Sequence, residues 1–551
     1  MTSSPDLNTD PPIVNERLTF TTKLAYGAGD LGTAMSANVL IFFLLFFFTN
    51  VAGLPAGLAS SVLAIGKIWD AINDPLTGIW SDRTRTRWGR RIPWMVGGAI
   101  PFGICFYLQW QIPQFSPDPT TNQWGLFAYY VTIAIFFHLI YTAVNLPYTA
   151  LTPELTEDYN ERTSLNSFRM AFSIGGSILS LVIAQIMFSL YPDDPLQRFQ
   201  SLGLLCSLIA VVAILWCALR MRERGADPIL PKTWGRNLGY GLVTVGTLGL
   251  TGGIVATLRG LFNWNALAGL LLGILLIAFG LTMIFNRPEA HLIGEAASQA
   301  RSRSAAQPSL PILSQLKVVF NTRPFLYIIG IYLCSWLAVQ LTASILIYFV
   351  VSWMGMPEES FPMVAIAVQG TALGMLFVWR PVSNHLGKKK VYYLGTAIWI
   401  VAQGGLSLLQ PGQTGLMYSL AILAGMGVSV AYLIPWSMVP DVIEYDELHS
   451  GQRREGLFYG FMVLLQKLGL AFAVFLVGQG LQIAGFIERL PSQPIPIQPD
   501  TALLAIRLVV GPLPILILCL GIVLTRFYPI TKDYHQQIRQ QLATQRAKAT
   551  L

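Results

Sequence analysis

Pro147-Tyr148-Thr149-Ala150-Leu151-Thr152-Pro153-Glu154 closes one long apolar run, and Pro435-Trp436-Ser437-Met438-Val439-Pro440-Asp441 closes another. Each string ends the fourth apolar run of a set of six and leads into an acidic stretch and a further run. Gly89-Arg90-Arg91 has a counterpart in Gly387-Lys388-Lys389, and both lie between the second and third runs of their sets. Strings that match in type and in position mark an internal repeat, and a repeat governs every later reading of the fold. The chain therefore reads as two parallel halves, residues 23–220 and 323–530.

The composition agrees with that reading. Of 551 residues, 12% are charged and 53% hydrophobic, and the mean hydropathy is +0.55. A soluble domain carries about 25% charged residues, so this chain lacks the polar surface to cover its apolar residues in water. The 49 Gly and 33 Pro follow no period, which excludes a collagen-like or disordered chain. The five cysteines lie in apolar runs without a CxxC pair, a pattern that suits neither a disulfide framework nor a zinc site. The opening residues are polar, so the first span is expected to insert without a cleaved signal.

Crossing ~30 Å of hydrocarbon takes ~20 apolar residues in a helix. Runs of that kind fall at 31–50, 57–80, 93–112, 124–148, 168–190, 201–219, 238–257, 265–285, 324–352, 361–380, 390–409, 414–438, 456–484 and 502–527. The expected fold is an all-α polytopic membrane protein of about 14 transmembrane helices, six per half plus two inserted ones, with internal Gly and Pro producing tilts and kinks. Residues 221–322 form the central insert, whose runs at 238–257 and 265–285 lack buried charge and read as peripheral, followed by a polar linker at 287–312. Residues 1–22 and 531–551 read as tails.

The net charge of +8 is a matter of topology. Alternate connections carry Arg83, Arg85, Arg87, Arg90 and Arg91; Arg220, Arg222, Arg224, Lys232 and Arg236; Lys388, Lys389 and Lys390; and Arg453 and Arg454. The opposite connections offer little beyond Arg198, Arg259 and Arg489. By the positive-inside rule the basic set and both termini are cytoplasmic in a plasma (inner) membrane, and a nucleic-acid partner is excluded.

Against so little charge, ionisable residues inside a span stand out, because each costs at least about 2.5–3.5 kcal/mol to insert. Lys67, Asp70 and Asp74 share one helical face of the second run, beside Asn73. Two carboxylates one turn apart repel, so a proton or a cation must reside there. Lys467, in the eleventh core run, can supply the missing positive charge or compete with an ion. The plainer alternative is an intrahelical Lys67–Asp70 pair with Asp74 at the interface. Arg169 is either a cavity residue or a snorkelling interfacial arginine, and His138 reads as a packing residue. The loop bearing Asp82, Arg83, Arg87, Arg90 and Arg91 is either topogenic or docked. Ionic latches from it to cytoplasmic acids such as Glu154 and Asp441 would then gate one access state.

Two parallel six-helix halves with midplane charges resemble the major facilitator superfamily. Ile68-Trp69-Asp70-Ala71-Ile72-Asn73-Asp74-Pro75 narrows the resemblance to the glycoside-pentoside-hexuronide:cation symporters, typified by melibiose permease. The runs at 23–32, 81–94, 144–164 and 440–445 extend it over both halves, excluding the insert and tails. The resemblance implies that Asp70, Asn73, Asp74 and Thr142 coordinate a coupling cation, Na⁺ or H⁺, next to Lys467. It also places Arg169 on the solute. Ala34, Asn145 and Thr149 stand where the family's type member has two sugar-gripping aspartates and a stacking tryptophan, so its galactoside specificity does not carry over. Asn145, Tyr26, Tyr141, Tyr148 and Tyr432 remain candidates for the solute, or line packing seams.

The function read from the sequence is cation-coupled symport of a glycoside or related small solute by a monomer, without cofactor or enzymatic activity. A lysophospholipid carrier of the same superfamily is the alternative, favoured by the lost acids and disfavoured by the acidic loop after the fourth run. A membrane sensor or enzyme is a more distant reading, since no HExxH, GxSxG or phosphate-binding loop is present.

Overall fold

The computed structural model describes residues 18–156, 159–223, 229–230, 232–261, 263–285, 318–452, 454–489 and 496–550. Among these it is helical, with fourteen membrane helices. They are α1 (Phe20–Asn50), α2 (Ala56–Arg83), α3 (Ile92–Leu108), α4 (Pro119–Thr149), α5 (Tyr159–Leu190), α6 (Pro195–Arg220), α7 (Lys232–Leu258), α8 (Trp264–Ile284), α9 (Arg323–Trp353), α10 (Phe361–Leu386), α11 (Lys388–Leu408), α12 (Thr414–Ser450), α13 (Glu455–Ile483) and α14 (Asp500–Phe527). Twelve are long and apolar enough to cross a membrane on length and composition alone. The other two are α2, which carries Lys67, Asp70 and Asp74, and α3, with 17 residues. The expected linker at 287–312 lies outside the described residues.

Several helices outrun the apolar segments that announce them. The first begins at Phe20 instead of residue 31, the fifth at Tyr159 instead of 168, and α12 continues to Ser450 instead of 438. A membrane helix persists into water when its end is capped. Thr19 accepts the Thr22 N–H at the start of α1, and Gly451 takes a left-handed φ of 68° after α12. The C-terminal segment is likewise a helix, α15 (Lys532–Thr550), packed on the second half through Ile538 and Leu542.

The repeat is visible in the backbone. The first helix of each half contains a π-helical segment, Leu40–Leu44 in α1 and Phe349–Trp353 in α9. Gly89 and Gly387, in the matched loops, have φ of 107° and 84°, where a Cβ is strained. The inserted pair α7 and α8 packs backbone to backbone through Gly239, Gly246, Gly273 and Gly280. It is fastened to α6 by Trp216, which stacks on Phe279 and donates its indole N–H to Thr282 Oγ1 at 2.9 Å.

Candidate functional site

Helix α2 meets α13 of the other half at very short range. A Cβ on Gly57 would strike the Gln482 side chain, and one on Gly478 would strike Ser60. The two helices run antiparallel, so this contact slides Lys467 of α13 onto the charged face of α2. Its ammonium lies 2.9 Å from Asp70 Oδ1 and 2.7 Å from Asp74 Oδ2. Thr142 of α4 donates to Asp70 Oδ1 at 2.9 Å and lies 3.1 Å from Asp74 Oδ1. Lys67 stands 3.9 Å from Asp70 Oδ2, the oxygen that Lys467 does not bind.

Asn73 is buried on the same helix, accepts from Thr77 Oγ1 at 3.0 Å and donates to the Leu139 carbonyl at 3.5 Å. His138, read as packing, has Nδ1 3.7 Å from Asp70 Oδ2. Two carboxylates and two ammonium groups sum to zero. That balance explains how so many charges persist at this depth. Asp70 is 2% exposed and Asp74 is 25% exposed, so the second faces the accessible side. Two carboxylates, a hydroxyl and a side-chain amide give a hard-oxygen set suited to a small cation.

The solute candidates divide. Tyr26 and Tyr148 are buried, stacked at 5.1 Å, and have their hydroxyls engaged by Thr152 and by the Tyr26 carbonyl. They form a packing seam. Tyr141, Asn145 and Arg169 are only partly buried, and the Asn145 Oδ1 atom has no hydrogen-bond donor among the described residues. Tyr432 keeps 40% of its surface accessible, and its ring stands edge-on to Trp336.

The basic loop is docked, by a residue the sequence did not single out. The Glu223 carboxylate accepts the backbone N–H groups of Arg90, Arg91 and Ile92 at 2.7, 2.6 and 2.9 Å, capping the start of α3. Arg91 pairs with Asp82 at 2.5 Å, and Arg87 lies over the Trp88 ring; Arg83 ends α2 on the exposed surface. Among the described residues Asp441 makes no ion pair with this loop. Both its oxygens bind Lys388 at 2.7 Å within its own half, next to His535 of α15. The reason is the repeat itself, which gives each half its own cation at the matched turn. The Glu154 side chain lies outside the described residues.

A second set of charges was also missed. At the end of the bundle away from the basic loops, Glu358 of the second half receives Arg198 of α6 at 2.5 Å and Arg489 at 3.3 Å. Arg198 and Glu358 are 3% and 6% exposed. Thr49 and Tyr348 hydroxyls meet at 2.7 Å nearby, and the Ala56 N–H donates to Glu488 at 2.9 Å. Arg198–Glu358, Thr49–Tyr348 and Ala56–Glu488 join one half to the other, while Arg489 braces Glu358 from within the second half.

A family model described as MFS/sugar transport protein matches residues 25–237 and 229–532. An uncharacterised symporter of Synechocystis sp. is 57% identical over 96% of this chain and 97% of its own length. The sodium-dependent lysophosphatidylcholine symporter 1 of Gallus gallus is 26% identical over 96% of this chain and 90% of its own. The crystal structure of a D-xylose-proton symporter superposes with a TM-score of 0.53 at 15% identity, covering 92% of this chain and 97% of that one, which speaks for the fold.

Proposed function

The chain belongs to the MFS/sugar transport protein family, as a melibiose-permease-like symporter, and from that premise we propose that it couples Na⁺ entry to movement of a hydroxyl-rich solute such as a glycoside. It is an integral, multi-pass membrane protein and a cation-coupled transporter. The proposed orientation puts the basic loops and both termini in the cytoplasm, in the plasma (inner) membrane, with the monomer as the working unit.

The observation that carries the coupling is the Lys467 ammonium held between Asp70 and Asp74 across the two halves. A cation taken up by those carboxylates, with Thr142 and Asn73 as further oxygen donors, brings a third positive charge to a balanced site. Lys467 must then withdraw, and its withdrawal removes a bond between the halves. Solute bound by Arg169, Asn145, Tyr141 and Tyr432 replaces that bond with contacts of its own, and the halves rock about it. Two carboxylates and a hydroxyl favour Na⁺ over H⁺, since a proton needs only one carboxylate. The loop acids, Asp82 with Arg91 and Asp441 with Lys388, then stabilise each half as a rigid body.

The test is uptake into proteoliposomes under an imposed Na⁺ or H⁺ gradient. Asp74→Cys is expected to abolish gradient-driven accumulation and to leave the protein monodisperse. Accumulation at the wild-type level in that variant sinks the coupling role, and accumulation driven by H⁺ alone overturns the choice of Na⁺. The lysophosphatidylcholine symporters among the relatives favour a second reading, a lysolipid solute. Thermal shift against sugars and lysolipids, each with and without Na⁺, separates the two.

A further inference from the structure

The basic end of the second half holds a cavity of about 390 Å³ that neither the cation site nor the solute candidates use. Three stretches far apart in sequence wall it: the entry to α9 with Asn321 and Arg323, the last turns of α12 with Tyr445, Asp446 and His449, and Arg454 just before α13. Its volume lies within the range of about 300–1,000 Å³ usual for small-molecule sites. Its donors are largely unspent. Arg323 is exposed and enters no ion pair among the described residues. Arg454 donates its Nε–H to Gln452 Oε1 at 3.1 Å, and its Nη1 lies 3.9 Å from Asp446 Oδ1, beyond hydrogen-bond reach, so the terminal N–H groups keep bonding capacity. His449 Nδ1 sits 2.8 Å from the Tyr445 carbonyl, which can only accept, so Nδ1 carries the hydrogen and Nε2 is left for a further partner. The ring is steadied by Tyr445, with centroids 4.2 Å apart. Asp446, 7% exposed, is the acid of the wall. Two guanidinium groups against one carboxylate leave the cavity one positive charge in excess.

We propose that this cavity binds a phosphate-bearing anion and thereby ties the entry of α9 to the end of α12 and the start of α13. A phosphate group offers several acceptor oxygens set at tetrahedral angles, and each guanidinium presents paired N–H donors that match two of them. Asn321 adds an amide donor from the same wall. A lone carboxylate ligand would satisfy one guanidinium and leave the other unanswered. The positive-inside bias explains how many arginines this end carries, but it makes no demand that Arg323 and Arg454 meet at one cavity. The same chemistry comes from a soluble phosphate or from the headgroup of an anionic phospholipid, whose chains would lie along Phe320 and Leu326, exposed on either side of Arg323. Once filled, the cavity links three helices of the second half, one of which, α13, carries Lys467. The ligand therefore stabilises that half as a rigid body. The site is separate from the central cation and solute sites and does not depend on either.

The experiment uses the full-length protein in two settings: in dodecyl maltoside with inorganic phosphate as the probe, and in phosphatidylcholine nanodiscs with and without phosphatidylglycerol. Melting temperature is read at constant ionic strength, balanced with chloride. A saturable rise with inorganic phosphate identifies a soluble source, and a rise with phosphatidylglycerol alone identifies a lipid headgroup; either supports the site. Arg323→Gln and Arg454→Gln are each expected to raise the phosphate concentration at half shift by about tenfold or more and to abolish the phosphatidylglycerol shift. Arg85→Gln, which removes an exposed arginine from the basic loop of the first half, is expected to leave both shifts unchanged. Arg454→Gln also takes the facing cation from Asp446; if that variant does not fold, Arg323→Gln, which has no ion pair to lose among the described residues, decides alone. A shift of wild-type size in Arg323→Gln overturns the proposal. So does an equal loss in Arg85→Gln, or the absence of a saturable shift with either probe.

Discussion

The two ends of the bundle satisfy their charges in opposite ways. At the end away from the basic loops, Glu358 of one half holds Arg198 of the other, and Thr49–Tyr348 and Ala56–Glu488 repeat the cross-half pattern. At the basic end, the described ion pairs close within a half: Lys23–Glu161 and Asp82–Arg91 in the first, Lys388–Asp441 and Glu444–His535 in the second. A bond inside a half stabilises a rigid body. A bond between halves stabilises one relative orientation of two rigid bodies, and that is what a transporter must make and break. Breaking the first kind should therefore lower stability alone, and breaking the second should move a conformational equilibrium.

The largest effect is expected at the midplane, where Lys467 serves both roles. Lys467→Gln leaves Asp70 and Asp74 without their shared cation, and removing one partner of a buried ion pair costs about 3–5 kcal/mol. A lower melting temperature in Na⁺-free buffer, a larger Na⁺-induced rise than in wild type, and at least a tenfold loss of gradient-driven uptake should appear together. An unchanged melting temperature with normal uptake would show that the bridge bears no energy.

Glu358→Gln comes next. It removes a charge-assisted bond from the buried Arg198, worth about 1.5–3 kcal/mol, while keeping the side-chain shape. An equilibrium between closed and open forms of that end shifts by roughly tenfold or more for such a change. The reporter is the rate of maleimide labelling of Ala52→Cys, at a position 5% exposed near this end, in a background lacking Cys519. The rate is expected to rise in Glu358→Gln and to stay at its wild-type value in Asp82→Asn, which breaks a pair within one half. Equal rates in both variants would erase the distinction between the two ends.

How much of this was legible beforehand follows from what hydropathy can see. The charged face of α2 was legible because an acid in an apolar run is conspicuous, and because two carboxylates and one lysine leave room for a further positive charge, which the Lys467 ammonium supplies. The repeat was legible in short strings, and the fold with it. Asp30 is inconspicuous for a physical reason: the apolar run begins at residue 31, whereas capping by Thr19 carries α1 down to Phe20, so Asp30 lies inside the helix. Glu223 sits in a basic stretch, and its three backbone donors are 131 or more residues away. Arg198 lies in the first turn of α6, Glu358 between α9 and α10, and Arg489 beyond α13, so only the packed fold brings them together.

The smallest effect is expected where the halves are most alike, and it separates backbone strain from contact. Gly89 and Gly387 occupy matched turns with φ of 107° and 84°, and an L residue held in such sparsely populated backbone costs about 1–3 kcal/mol by itself. Their surroundings differ. A Cβ at 89 would lie 2.3 Å from the carboxyl carbon of Glu223, whereas one at 387 meets nothing nearer than Lys532 Cβ at 3.9 Å. Gly387→Ala should therefore show the strain alone. Gly89→Ala should add the loss of up to three charge-assisted bonds that tie the loop and the start of α3 to Glu223, just beyond α6, and so lose more melting temperature than its counterpart. Neither substitution crosses between halves, so labelling of Ala52→Cys should not change in either. Equal losses at the two glycines would mean that Glu223 moves aside without cost and that the loop is held by the arginine pairs instead.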